Sequence, residues 1–262
     1  GWIGRTLGPR SKRHRIAQYN LQKALPEVDA DQSEDILTGM WDNFGRMLGE
    51  YLHLDAFGRL ASDRDDAITF EGLDRLKALV REHPNVIFIG GHFGNWELAP
   101  LISRRFNMDY VVIYHAIHEP FIDRLVAGCR MKINQNIVDN KNGRKAMVAA
   151  LKNGTSICLL VDQKPRDGPL VPFFGRGVKT TTAPAKLALR YRVPIVPVRV
   201  QRQGGTRFKI TVHPHIDVER YPDNEDGVTQ ITEAINQRLE DWVRDDPSQW
   251  YWMHRRWPDS IK

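Results

Sequence analysis

Residues 86–97, Val-Ile-Phe-Ile-Gly-Gly-His-Phe-Gly-Asn-Trp-Glu, decide the fold of this chain. The first four are apolar, mostly β-branched and preceded by Pro84, which predicts a buried strand of a parallel sheet. Glycines at positions 90, 91 and 94 predict a turn that a substrate can approach closely, and residues 95–101 suit the start of a helix. Reactive groups of open α/β sheets collect at such strand-to-helix junctions, so we interpret this turn as a catalytic centre.

His92 and Glu97 are the chemically active pair of the turn. Five positions along one helix would point them in different directions, so we expect His92 in the turn and Glu97 on the helix, where they can meet. A carboxylate bonded to one imidazole nitrogen leaves the other nitrogen to accept a proton from a substrate hydroxyl. No serine or cysteine lies between them, which favours the substrate hydroxyl as nucleophile. The alternative is an ordinary loop histidine beside a helix-start glutamate.

The composition is that of a soluble globular protein with an anionic partner. Of 262 residues, 41% are hydrophobic and 27% charged, the net charge is +6, and the pI is near 9.4. This balance fits nucleic acid, a phospholipid surface or an acidic carrier protein. Cys129 and Cys158 lie in apolar patterns, which predicts core positions and a reducing compartment rather than a disulfide framework.

Strand and helix patterns alternate after the central turn. Predicted strands cover residues 109–114, 137–138, 156–161, 195–200 and 208–212. Predicted helices cover residues 120–130, 144–151, 182–191 and a stretch from about residue 227, and two earlier helices start near Asp31 and Gly72. The pattern predicts an α/β fold with a mostly parallel central sheet flanked by helices. We expect one domain over residues 31–262, after a basic segment at residues 1–30.

Both ends of the chain carry candidate contacts for an anionic membrane or carrier. The N-terminal basic residues are Arg5, Arg10, Lys12, Arg13 and Arg15. The C-terminal cluster comprises Trp250, Trp252, Arg255 and Arg256. Basic residues and large aromatics suit a lipid interface, whereas the alternatives are a solvated arm and an aromatic tail that closes the core. The sequence has no signal peptide or spanning stretch, and its start at Gly1 leads us to expect an anchor upstream.

Four motifs follow one another along the chain. They are Gly91-His92-Phe93-Gly94-Asn95-Trp96-Glu97, Asp162-Gln163, Pro172-Phe173-Phe174-Gly175 with Thr180-Thr181-Thr182, and Gln249-Trp250-Tyr251-Trp252-Met253-His254-Arg255-Arg256-Trp257. In this order and spacing the chain resembles the bacterial lipid A biosynthesis acyltransferases, the lauroyl/myristoyl acyltransferase family. The resemblance runs over about residues 31–257.

The resemblance implies a fold like that of glycerol-phosphate acyltransferases and a reaction without a cofactor. A fatty acyl group would pass from acyl carrier protein to a hydroxyl of a lipid A precursor, at the cytoplasmic face of the bacterial inner membrane. The family's catalytic histidine and acidic partner fall on His92 and Glu97. The chain departs from the family at His115-Ala116 and Glu119-Pro120, where Arg-Pro and Asn-Pro are usual, whereas Asp123 and Arg130 match.

We expect further site residues to bind substrate or the oxyanion of the reaction. They are Gly91, Asn95, Arg130, Asp162 and Gln163. Backbone groups near Gly91 or the Arg130 guanidinium would stabilise the oxyanion. Asp162 and Gln163 end a predicted strand and should lie on the same sheet edge as His92, with a structural turn as the alternative.

Three other functions compete with this interpretation. A metal hydrolase would need three ligands and a motif such as H-E-x-x-H, which the chain lacks; His115 with His118 and His213 with His215 are the pairs that we considered, and we expect no metal site. A basic nucleic-acid-binding protein is possible on charge, although no reader motif is present. An acyltransferase that acts on another glycolipid or on a phospholipid is the nearest alternative.

Overall fold

The computed structural model describes residues 1–61, 67–106, 108–114, 119–133 and 136–257. Its helices are α1 (Trp2–Leu7), α2 (Lys12–Ala24), α3 (Ala30–Glu50), α4 (Leu54–Leu60), α5 (Leu73–Glu82), α6 (Leu101–Phe106), α7 (Pro120–Met131), α8 (Asn140–Lys152), α9 (Ala183–Tyr191) and α10 (Glu225–Asp245). Its strands are β1 (Ile68–Glu71), β2 (Ile87–Gly90), β3 (Tyr110–Tyr114), β4 (Ile137–Asp139), β5 (Ser156–Leu160), β6 (Leu170–Phe173), β7 (Arg176–Lys179), β8 (Ile195–Gly204) and β9 (Arg207–Val212).

The central sheet confirms the predicted α/β class. Its strands lie in the order β1-β9-β8-β2-β5-β3-β4, and only the β8–β9 pair is antiparallel. β2 lies in the middle, and all four of its residues are buried because helices cover both faces of a parallel sheet. The edge strand β1 and the separate β6–β7 hairpin were not predicted, since both are short and only half apolar.

The long helix α3 begins two residues earlier than the sequence pattern suggested. Asp29 accepts a hydrogen bond from the Gln32 backbone N–H at 2.8 Å, and the Gln32 side chain accepts one from the Asp29 N–H at 3.2 Å. This capping box satisfies two otherwise unpaired donors at the helix start. The Asp31 and Glu34 pair on which the prediction relied lies inside the helix instead.

The basic N-terminal segment belongs to the same core as the rest of the chain. On α2, Ala17 and Leu21 are buried in one cluster with Trp252 of the C-terminal segment. Asn20 donates hydrogen bonds to the backbone oxygens of Trp252 and His254. Residues on both sides of position 30 therefore share one buried cluster. Within the described residues, no helix has the length and apolar character needed to cross a bilayer.

The C-terminal aromatic cluster faces inward, which corrects its predicted contact with a membrane. Trp250, Trp252 and Arg256 are 1%, 0% and 0% exposed. Arg256 donates to the Lys179 backbone oxygen at 2.5 Å and to the Thr180 hydroxyl at 3.0 Å. Its guanidinium is therefore bound to the end of β7 and the loop that follows. Of the four predicted contact residues in this cluster, only Arg255 is exposed.

Candidate active site

His92 and Asp162 lie opposite each other at the carboxyl ends of β2 and β5. The two strands are parallel with Gly90 paired to Leu160. Continuing that register by two residues brings position 92 beside position 162. These two side chains are therefore neighbours because their strands pair, although they lie 70 residues apart in the chain.

The Asp162 carboxylate holds His92 through both of its oxygens. The His92 ring donates from Nδ1 to Oδ1 at 2.6 Å, and the His92 backbone N–H donates to Oδ2 at 2.7 Å. Oδ2 also accepts from Trp250 Nε1 at 2.8 Å. Burial opposes ionisation of Asp162, but the charge and hydrogen bonds of His92 outweigh it and hold the pKa of Asp162 well below its usual range. A proton fixed on Nδ1 leaves Nε2 as the basic atom of the ring.

Glu97 is not the hydrogen-bond partner of His92, which corrects the predicted pairing. Its carboxylate instead accepts from Arg130 Nε at 2.8 Å and Nη2 at 2.6 Å, and from the Tyr51 hydroxyl at 2.5 Å. The Trp96 indole donates to it at 3.1 Å. Burial favours the neutral acid, but the bonds from Arg130 dominate and lower the pKa of Glu97. The spacing of five residues places Glu97 near His92 without a bond between them.

The glycine turn contacts other protein groups at the positions where we expected contacts with substrate. Only Gly94 among its glycines has a positive φ, of 54°, and a Cβ there would lie 2.6 Å from the Val200 oxygen. At Gly91 a Cβ would lie 2.9 Å from the Phe93 ring, so packing within the protein requires this glycine. Asn95 is fully buried, donates to Glu50 at 2.9 Å and accepts from the Glu97 N–H at 3.2 Å. Its predicted role in substrate binding is replaced by a structural one.

Two other segments clamp the turn from outside. Asn43 of α3 donates to the Gly94 oxygen at 2.9 Å, and the Gly94 N–H donates to the Gln249 oxygen at 3.1 Å. The Tyr251 N–H donates to the His92 oxygen at 3.0 Å. The C-terminal segment is therefore part of the site, because it runs alongside the turn and delivers the Tyr251 and His254 rings to His92.

A cavity with a volume of about 850 Å³ opens beside His92. Its size falls within the range of ligand pockets, about 300–1,000 Å³. Its apolar wall includes Phe44, Met47, Val126, Met147, Cys158 and Leu159. His92, Gln163, Tyr251 and His254 line the same cavity, together with the exposed Lys164 and Arg166. An apolar chain can thus be held with its polar end at the histidine.

Gln163 is the predicted residue that comes closest to the reactive nitrogen. Its Nε2 lies 3.2 Å from His92 Nε2 and 3.1 Å from His254 Nε2. Arg130 also lines the cavity, but its Nε and Nη2 are bonded to Glu97. Sequence reasoning missed the contributions of Tyr51, Tyr251 and His254. Tyr51 directly follows α3, and Tyr251 and His254 lie within the C-terminal motif, so no local pattern singles them out.

The N-terminal basic residues are placed on the surface. Lys12, Arg13 and Arg15 are exposed, whereas Arg5 forms an ion pair with Asp42 at 3.4 Å and Arg10 bonds to the Thr6 oxygen. Arg13 lies on α2, the helix whose Asn20 donates to the His254 backbone oxygen. Three large apolar side chains of α1 are exposed beside these cations, namely Trp2, Ile3 and Leu7.

Metal chemistry gains no support from the residues that the structure describes. Among them, no group of three histidine, cysteine, aspartate or glutamate side chains is placed to hold an ion. His115 and His118 lie outside the described residues. Burial, followed by the charge of nearby arginines, lowers the pKa of His213 to about 4.

A buried histidine–carboxylate pair thus borders a mostly apolar cavity, an arrangement that suits a substrate with an apolar chain. The chain belongs to the bacterial lipid A biosynthesis acyltransferase family, whose model matches residues 1–259. It is therefore an acyltransferase, and this membership favours acyl transfer over the alternative of nucleic-acid binding.

Curated relatives align over most of their length. The chain is 26% identical over 255 residues to the lipid A biosynthesis lauroyltransferase of Escherichia coli K12, covering 94% of this chain and 79% of that protein. It is also 26% identical over 253 residues to the palmitoleoyltransferase of the same organism, with 94% and 78% covered. A phosphatidylinositol mannoside acyltransferase of Mycolicibacterium smegmatis is 22% identical over 263 residues, with 98% and 82% covered.

Proposed function

We propose that this enzyme transfers a fatty acyl group from acyl carrier protein to a hydroxyl of a lipid A precursor, with His92 as the general base. One observation carries the proposal: His92, whose ring is fixed by Asp162, lines a mostly apolar cavity of about 850 Å³. The acyl chain would occupy the cavity, and its thioester carbonyl would lie at the histidine.

The chemical step then needs only the two substrates and the histidine. Nε2 removes the acceptor hydroxyl proton as the hydroxyl oxygen attacks the thioester carbonyl. The C–S bond breaks, an ester forms, and the departing thiolate takes the proton from the imidazolium. Asp162 keeps the ring oriented and stabilises its positive charge while the proton is held. The backbone at Gly91 stays our candidate for stabilising the oxyanion.

A covalent acyl-enzyme has a poor candidate nucleophile at this site. Cys158 lies on β5 and lines the cavity. Burial, with a smaller contribution from the charge of Glu97, raises the pKa of its thiol to about 12. Because the thiolate is the reactive form, this thiol is inert near neutral pH. Direct attack by the acceptor hydroxyl is the simpler route.

Glu97 and Arg130 act in this proposal by shaping the wall of the site. Two nitrogens of the Arg130 guanidinium are bound to Glu97, and Tyr51 completes the cluster. This buried unit joins α7 to the turn that carries His92. We therefore assign Arg130 to holding the turn and move it away from the oxyanion role that the sequence suggested.

The cations near the cavity support anionic substrates. Lys164 and Arg166 line its exposed side, and Arg13 stands nearby. Exposed cations attract acidic partners and their effect is screened over about 10 Å at 0.1 M ionic strength. Transfer from acyl carrier protein should therefore slow as salt rises. Equal rates from acyl-CoA and acyl carrier protein at low and high salt would contradict a carrier docking site.

The decisive assay measures product masses with defined substrates. The purified enzyme is incubated with acyl carrier proteins that bear different chains, and with a lipid A precursor or a phosphatidylinositol mannoside as acceptor. The second acceptor is included because one relative is named for it. We expect transfer to the lipid A precursor and a loss of about 10²- to 10⁴-fold in a folded His92→Ala variant. Wild-type turnover in that variant would refute the base assignment.

A bilayer contact follows from the lipid acceptor. Exposed apolar side chains flank the cavity at the end of α3 and on α7, namely Leu48, Leu52, Phe121, Ile122 and Leu125. With the exposed apolar and basic residues of α1 and α2, they would let the enzyme rest on an anionic membrane. Phe121→Ser should weaken co-sedimentation with anionic vesicles, whereas Leu170→Ser, an equally exposed change on the β6–β7 hairpin, should not. Equal binding by both variants would contradict this surface.

A further inference from the structure

The amide nitrogen of Gln163 lies between two imidazole rings. It is 3.2 Å from His92 Nε2 and 3.1 Å from His254 Nε2. The two rings are 4.6 Å apart between centroids and nearly perpendicular, at 74°. One side-chain amide therefore contacts the basic nitrogen of the proposed catalytic base and the matching nitrogen of a second histidine.

The hydrogens of this arrangement can be counted. A glutamine amide nitrogen carries two hydrogens and accepts none, so each imidazole Nε2 must be an acceptor. For His92 this agrees with the proton on Nδ1, which is donated to Asp162. For His254 it requires a neutral ring that is also protonated on Nδ1. A reversed amide would point its oxygen at the His92 Nε2 lone pair, so the His92 tautomer that Asp162 fixes also sets the direction of the amide.

The surroundings of His254 keep its ring neutral and in place. Burial, then the charge of His92, lowers the pKa of His254 to about 3. The charged or titratable groups that face it are His92, Asp162, Arg13 and Arg256. Its backbone oxygen accepts a hydrogen bond from Asn20, and the Tyr251 ring packs against its own at 4.5 Å between centroids. His254 is thus a fixed acceptor at neutral pH.

We propose that His254 is a positioning residue that acts through Gln163 to hold the His92 ring with its Nε2 lone pair directed into the cavity. The amide occupies the point where the acceptor hydroxyl must donate its proton, and the hydroxyl replaces it when substrate binds. Asp162 at one nitrogen and Gln163 at the other together prevent the ring from rotating. This inference rests on the proposed role of His92 as the base.

Two substitutions of His254 separate this role from packing. His254→Phe keeps a ring of similar size but removes the acceptor, whereas His254→Gln restores an acceptor oxygen near the Nε2 position. Loss of one hydrogen bond worth about 1 kcal/mol corresponds to roughly five- to tenfold in rate. Because the amide holds the ring only until the hydroxyl replaces it, we expect a fall of that size in kcat/KM for His254→Phe, little change in kcat, and recovery of kcat/KM to within about threefold for His254→Gln.

Nitrogen-15 spectra of histidine-labelled protein test the network without any substrate. In the wild type at neutral pH, both His92 and His254 should carry their proton on Nδ1, and His254→Phe should shift the His92 Nε2 resonance while Asp162 keeps the His92 proton on Nδ1. Equal kcat/KM in the two variants, or a proton on His254 Nε2 in the wild type, would overturn the proposal. Absence of acyl transfer in the wild type would refute the proposed function instead, since the spectra would still report the tautomers.

Discussion

Two buried carboxylates stand near the same glycine turn, and they are bound in opposite ways. Asp162 contacts a ring whose protonation changes in the proposed reaction. Glu97 contacts a guanidinium that is always charged, together with a tyrosine hydroxyl. Burial opposes ionisation of both, and the hydrogen-bonded partners of each carboxylate overcome it. The partner, and not the carboxylate, therefore decides which of the two can take part in proton transfer.

The largest effect should come from Asp162→Asn. The two oxygens of Asp162 accept three hydrogen bonds, from His92 Nδ1, the His92 N–H and Trp250 Nε1. An asparagine must turn its NH₂ group toward one side or the other, where it meets donors. We expect transfer to fall by about 10²- to 10⁴-fold, the range of general acid–base catalysis, measured as kcat with acyl carrier protein as donor.

Trp250→Phe is the matched control for that change. It removes one hydrogen bond to Asp162 but keeps the carboxylate charge and the bond to the His92 ring. Transfer should then fall by about tenfold or less, in line with the loss of one net hydrogen bond. If Trp250→Phe in folded protein were as damaging as Asp162→Asn, the packing around Asp162 rather than its charge would matter.

Substitutions in the Glu97 cluster should lower the unfolding free energy more than they lower the transfer rate. Glu97→Gln leaves the buried Arg130 charge without its partner, which costs about 3–5 kcal/mol in comparable cases. The double variant Glu97→Gln/Arg130→Met removes both charges and should recover most of the unfolding free energy, measured by urea denaturation. Its transfer rate should stay within about tenfold of wild type, because the His92–Asp162 pair is untouched. A stable double variant without transfer would show that the guanidinium acts on the reacting carbonyl.

The sequence predicted what depends on local pattern. The apolar run before the turn became the central strand, and the alternation of strands and helices gave the sheet and its flanking helices. The hydrogen-bond partner of His92 could not be predicted from the sequence, because it depends on the register between β2 and β5. The spacing of His92 and Glu97 suggested Glu97 as the partner, but the Glu97 carboxylate is bound by Arg130 and Tyr51.

The burial of the C-terminal tryptophans likewise depends on contacts between distant parts of the chain. Their composition fits a lipid interface as well as a core, and only the fold-back of the chain beside the turn decides between them. Trp250 is buried because its indole N–H has a partner in Asp162, which lies 88 positions earlier in the chain. Long-range hydrogen bonds of this kind leave no periodic signal in a sequence.

The smallest effect concerns the pH dependence of stability and separates the carboxylates from His254. Both carboxylates have pKa values below the usual range, so their contributions are lost only as pH falls below about 4. His254, with a pKa lowered to about 3, binds a proton in the unfolded chain below about pH 6.5 but not in the fold. Its neutral ring therefore makes stability fall with decreasing pH between those values, by up to ~1.4 kcal/mol per pH unit.

Urea denaturation of wild type and His254→Gln from pH 7 to 4.5 should show a shallower dependence of the unfolding free energy on pH in the variant. The remaining slope is partly due to His213, whose pKa is lowered to about 4. Parallel slopes would mean that His254 titrates alike in the folded and unfolded chains, and that the contrast between a titrating ring and two fixed carboxylates is wrong.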